Sequence, residues 1–187
     1  MQDFFSLITF DSAGAEKAIT AANEATAENG LTLSPDEIRS LCAVYRDSLT
    51  ENSIVEFGAG GVVKIQKAFS ASCYADRSNF AEIVEAMTET FYYIKRNVEP
   101  EIRDDTLIAA MVDAFDNHSG GSIEEFQNTD AALLIRYLNE GREDLTIAAE
   151  EDYSFAPRGR SSNRGGRYPD FGSDEDSEDP DEYYDDE

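Results

Sequence analysis

Three sets of residues have types and spacings that bear on chemistry. The first is Glu56-Phe57-Gly58-Ala59-Gly60-Gly61, followed by Lys64. Closely set glycines let backbone N–H groups approach an anion, and a helix N-terminus beyond them adds partial positive charge. A nucleotide phosphate loop needs the spacing G-x-x-x-x-G-K-[ST]; that spacing is missing, and so is the hydroxyl after the lysine. The same residues also read as a structural turn in which glycine takes a positive φ, with Glu56 and Arg46 as a candidate ion pair holding it. Glu56, Gly58, Gly60, Gly61 and Lys64 are thus candidates for an anion-binding site or for a structural turn.

The second set is Asp116 to Gln127, which invites comparison with a calcium loop: Gly121 falls at loop position six and Ile123 at position eight. Positions three, five and twelve are His118, Gly120 and Gln127. The bidentate glutamate is missing, and calcium takes six or more oxygens. A connection between two helices is the plainer reading. The third set is the single histidine, His118, with the two cysteines, Cys42 and Cys73. A zinc site takes three or four ligands at recognisable spacing, and these residues show none. Both cysteines fall in apolar, helix-like patterns, where a free thiol behaves as a small hydrophobe. No metal, cofactor or catalytic group is expected. Carboxylates are so abundant that no one pair stands out for acid–base work.

The elements that must position these residues follow from apolar periodicity. Ala13 to Glu28 is alanine-rich and predicts a helix ended by Asn29-Gly30. Ser34-Pro35-Asp36-Glu37 is a capping box with proline at the first helical position. Ile38, Leu41, Cys42, Tyr45 and Leu49 then form one buried stripe. Ser53 to Phe57 reads as a short extended segment, and Val62, Ile65 and Phe69 as a short amphipathic helix. A long helix, capped by Asp76 or Ser78, carries Phe80, Val84, Met87, Phe91, Ile94 and Val98, the seam of a helix packed along its length. Asp104-Asp105 opens another helix, with Leu107, Ile108, Met111, Val112 and Phe115 inside. Ser122 to Glu125 is a second capping box, and Thr129-Asp130 starts a last helix that ends at Gly141. The expected fold is an all-α compact bundle of about five or six helices over residues 13–141. An N-terminal arm, residues 1–12, precedes it.

Residues 142–187 change character. Arg158 to Arg167 is a small basic Gly/Ser-rich patch, and Tyr168 to Glu187 holds 11 acidic residues and no basic one. That composition predicts a disordered acidic tail. Its aromatics, Tyr168, Phe171, Tyr183 and Tyr184, are candidate partner-binding residues. The chain as a whole carries a net charge of −25. Its first 141 residues hold ten Lys and Arg against 24 Asp and Glu, so the tail is not the only source of acidity. This balance argues against direct nucleic-acid binding and against anionic membranes. No apolar stretch is long enough for a membrane span, and the N-terminus lacks a basic leader, so the cytoplasm is the expected location.

Residues from Gly30 to about Gly141 resemble an uncharacterised bacterial family catalogued as a domain of unknown function. The resemblance is carried by Gly30-Leu31-Thr32-Leu33, Ile38, Arg46, Leu49, Val55-Glu56-Phe57-Gly58, Gly60, Lys64, Phe69, Phe91-Tyr92, Asp105-Thr106-Leu107-Ile108 and Gly121-Ser122-Ile123-Glu124. It implies a single domain and brings no activity, cofactor or catalytic residue with it. The function expected from the sequence is a non-enzymatic protein–protein interaction or scaffold role, with a basic protein as the favoured partner. Two alternatives belong to other classes. One is a small enzyme with a carboxylate-based site; the other is an acidic nucleic-acid mimic that fills a basic protein groove.

Overall fold

The computed structural model describes residues 10–141, and these form helices and turns with no strand among them. Helix α1 (Ser12–Thr26) is opened by Asp11, whose carboxylate accepts the Gly14 N–H at 2.9 Å. It tightens into a 3-10 turn (Ala27–Asn29) and stops at Gly30, where φ is 75°. Helix α2 (Pro35–Glu51) begins with the predicted capping box, the Ser34 N–H donating to Glu37 Oε2 at 2.6 Å and the Glu37 N–H to Ser34 Oγ at 3.4 Å. The Ser34 N–H holds the Glu37 carboxyl below its usual range. Helices α3 (Gly60–Phe69), α4 (Phe80–Asn97) and α5 (Asp104–Asn117) follow. The last stretch is a single turn α6 (Ile123–Glu125), a π turn (Phe126–Asp130) and α7 (Ala131–Asn139), ended at Gly141 with φ 73°.

Helix α4 is the centre of the all-α bundle and packs against α2, α3, α5 and α7, while α1 lies on α2 and α3. Phe80, Val84, Met87, Phe91 and Ile94 are all buried, as the seam predicts. Ile83, Thr88, Thr90 and Tyr92 are buried too, so burial spreads well beyond one seam, as four neighbouring helices require. The threonine hydroxyls are satisfied within the helix, Thr88 donating to Val84 O and Thr90 to Ala86 O.

Five local expectations are corrected. Ser53 to Phe57 is an irregular loop, entered through Ser53 in the left-handed region (φ 55°). Neither Asp76 nor Ser78 caps α4 directly. Asp76 accepts the Ser78 and Asn79 N–H groups, building a turn ahead of the helix. Cys73 is exposed in the turn after α3 rather than in a helix, Cys42 is buried in α2, and both thiols are free. The chain does not break at Thr129-Asp130 but stays helical from Ile123 to Asn139. Phe126 and Leu134 are both fully buried, yet eight α-helical steps separate them and would turn them about 80° apart. The extra residue of the π turn absorbs that rotation, which is why the apolar period falls out of phase there and reads as a helix start. Ser122 accepts the Glu125 N–H at 3.2 Å, but its own N–H donates to Ser119 O, so only half of the second capping box forms.

Candidate functional site

The loop between α2 and α3 is built around Glu56. Gly58, at φ 89°, turns the chain, and the Glu56 side chain folds back over the start of α3. Its Oε1 accepts the Gly61 N–H at 2.8 Å, and its Oε2 accepts the Tyr92 hydroxyl from α4 at 2.5 Å. The anion that this helix N-terminus receives is therefore the chain's own carboxylate. The Tyr45 hydroxyl of α2 donates to Gly58 O at 2.6 Å. Aromatic rings lock the arrangement from below: Tyr45 lies 5.7 Å from Tyr92, Phe10 meets Tyr45 edge-on at 5.2 Å, and Phe91 meets Tyr92 edge-on at 4.9 Å. Burial, reinforced by the charge on Glu56, pushes both phenols well above their ordinary range, so they stay neutral hydrogen-bond donors at any physiological pH.

The two helical glycines are not equivalent. A Cβ on Gly61 would stand 2.5 Å from the Tyr92 hydroxyl, whereas one on Gly60 would meet only Glu56 Oε1 at 3.5 Å. Lys64 points elsewhere, pairing with Asp105 at 2.8 Å across half-exposed surface, a contact that raises its pKa and lowers that of Asp105. Arg46 pairs with its neighbour Asp47 at 2.9 Å, not with Glu56. Of the five residues singled out in this segment, Glu56, Gly58 and Gly61 come together, Gly60 adjoins them and Lys64 does not. The candidate partner-binding residues Tyr168, Phe171, Tyr183 and Tyr184 lie outside the described residues, as do the Arg158 to Arg167 patch and residues 1–9.

What the braced loop presents outward is apolar. The Phe57 side chain is 91% exposed and Val55 is 42% exposed. Tyr93, next in sequence to Tyr92 and hence at the same end of the domain, is 51% exposed. These are three of the four large apolar residues exposed among the described residues; the fourth, Tyr74, packs its ring over Gly121. Sequence periodicity could have flagged Phe57 only through the alternation of Ile54 and Glu56 inward with Val55 and Phe57 outward, and the inward glutamate disguises it.

Two aspartates flank the turn between α5 and α6, Asp116 near the end of α5 and Asp130 at the end of the π turn, each with its own hydroxyl. Ser72 donates to Asp116 Oδ1 at 2.5 Å, and Ser119 donates to Asp130 Oδ2 at 2.5 Å. Asp130 is almost fully buried, and that burial raises its pKa against the pull of the Ser119 bond. The two carboxylates are thus engaged separately, and no group of three His, Cys, Asp or Glu able to hold a metal occurs among the described residues.

Among the described residues no helix is long and apolar enough to cross a membrane. No curated protein and no solved structure matches the chain. Residues 18–144 match a family of unknown function, DUF6323, so the matched region starts within α1 and takes in the glutamate-braced loop, α4 and the π turn. The match spans well over half of the 187 residues, and the chain belongs to this family of unknown function, DUF6323.

Proposed function

We propose that the domain is a non-enzymatic protein–protein interaction or scaffold module and that the Val55–Phe57 loop, with Tyr93 at the same end of the domain, is its docking surface. The observation that carries the reading is Phe57, 91% exposed on a loop that part-buried hydrogen bonds hold in place. Leaving a phenylalanine in water forgoes about 1.5–3 kcal/mol relative to burying it. A ring presented on a pre-organised support loses little entropy when a partner covers it, and aromatic anchors of this kind dominate interface energetics. The domain's acidity speaks against phosphate backbones and anionic membranes as partners. Cytoplasmic location is part of the same proposal and is supported by Cys42 and Cys73 both being free thiols.

The test is a photo-crosslinking amino acid placed at position 57 in the native host, with exposed Glu24 on α1 as the control position. A protein adduct at 57 and none at 24 is expected. Equal or absent adducts at the two positions overturn the reading.

A further inference from the structure

The end of the domain that carries Phe57 differs in charge from the rest. It gathers the last turns of α2, α4 and α7 with the first turns of α3 and α5. Arg96 donates to Glu51 O at 3.1 Å, Lys95 pairs with Asp104 at 2.8 Å, and Asn139 accepts the Glu99 N–H at 2.9 Å. Phe10, against Tyr45, brings the start of α1 to the same place. Counting Asp11 with residues 46–64, 95–105 and 136–140, this end holds six of the ten Lys and Arg in residues 10–141, namely Arg46, Lys64, Lys95, Arg96, Arg103 and Arg136, against nine Asp and Glu. The other four Lys and Arg share the remainder with fourteen Asp and Glu.

We infer that this end docks onto the same end of a second copy of the chain, with Val55, Phe57 and Tyr93 of each copy facing one another about a two-fold axis. The inference rests on the interaction reading above and names its partner. Charge decides which face two copies can share. Two chains that each carry −25 repel one another, and the repulsion is weakest where the cations are gathered and apolar side chains stand exposed. A basic partner would be drawn instead to the acidic remainder. The contact is self-complementary in a further respect. Arg96 meets only a backbone carbonyl among the described residues, while Glu99 and Glu101 are exposed just beyond it. A two-fold arrangement lets each copy offer arginine to the other's carboxylates. Six apolar side chains, with aromatics burying about 150–250 Å² each when fully covered, fall short of the roughly 1,200–2,000 Å² of a stable interface. The association is therefore weak and depends on concentration.

Sedimentation equilibrium of the full chain, from about 5 to 500 μM and at low and physiological salt, tests this. The average mass should climb toward twice 20.7 kDa with concentration, and more steeply at the higher salt, because salt screens like-charge repulsion. Phe57→Ser should weaken association about tenfold or more, and Phe57→Tyr should largely keep it. Position 57 is exposed, so at dilute protein both variants should keep the parental melting temperature, which confirms that they fold. A wild-type chain that stays monomeric throughout overturns the inference, as does association indifferent to Phe57→Ser. Monomeric behaviour together with a crosslink from position 57 to a different protein would leave the interaction reading standing and remove only this one.

Discussion

Two neighbouring glycines should respond in opposite directions to the same small change. Gly61→Ala puts a methyl group where the Tyr92 hydroxyl sits, so either the Tyr92–Glu56 bond or the start of α3 must shift. Overpacking of this kind costs about 1–3 kcal/mol. Gly60→Ala has room and removes backbone freedom from the unfolded chain, so it should leave stability unchanged or raise it by up to about 1 kcal/mol. Urea denaturation of the two variants checks the pair, and equal losses would mean that Tyr92 does not hold the loop. Asp130 makes a prediction about pH. Burial raises its folded-state pKa above the ordinary 3.8, with Glu125 adding to the rise and Ser119 and His118 opposing it. The folded state then holds the proton more tightly than the unfolded one. The residue's favourable contribution is complete below the ordinary value and is lost as pH climbs through the raised one. Asp130→Asn keeps an acceptor for the Ser119 hydroxyl and removes the buried charge. It should melt at or above the wild-type temperature at pH 7, with the gap closing below pH 4. Asp130→Ala leaves the Ser119 hydroxyl without its acceptor and should cost about 1–3 kcal/mol. Thermal melts of the three proteins at both pH values decide the matter; an asparagine variant that melts lower at pH 7 refutes the assignment of a charge-burial cost.

At the scale of elements, the helices that follow a clean period were legible in the sequence. The box at Ser34 to Glu37 and the stripe from Ile38 to Leu49 fix α2, because capping and burial there depend on residues three or four apart. The seam from Phe80 to Ile94 likewise locates α4. Legibility fails where the partner is distant. Glycines mark the loop before α3, but the carboxylate that fills the helix N-terminus is held by Tyr92, 36 residues farther along. No local pattern shows which tyrosine on a buried helix will turn its hydroxyl toward a glutamate. The π turn hides for another reason: its extra residue shifts the apolar phase, so one helix looks like two. Because α4 touches four other helices, its centre should be the most sensitive place in the fold. Phe91 is fully buried there, between Met87 and Ile94. Phe91→Ala should cost about 3–5 kcal/mol, read as a drop in the denaturant midpoint at constant slope. A loss below about 1 kcal/mol would place that seam at the surface.

For the whole molecule, charge is the dominant unbalanced term. Residues 10–141 hold 23 Asp and Glu against ten Lys and Arg, and the tail adds further negative charge. Five ion pairs occur among the described residues, and their partners are mostly half or more exposed, as with Arg46–Asp47 and Lys64–Asp105. Exposed pairs contribute about 0–1 kcal/mol each and are weakened by salt. Repulsion among the unpaired carboxylates is screened by the same ions. Excess acidity opposes the compact state more than so few surface pairs support it, so screening should act in the domain's favour on balance. Raising sodium chloride from about 20 to 300 mM, across which the screening length shortens to roughly 6 Å, should therefore raise the melting temperature by a few degrees, the shift that about 1 kcal/mol produces in a domain of this size. Calorimetry at dilute protein keeps this intramolecular effect apart from association. At higher concentration a further rise with salt is expected from the proposed two-fold contact, since anything that binds only the folded state stabilises it. Phe57→Ser should abolish the concentration-dependent part and leave the dilute salt response intact. If salt instead lowers the melting temperature at dilute concentration, the ion pairs outweigh the repulsion, and like-charge repulsion does not decide where two copies meet.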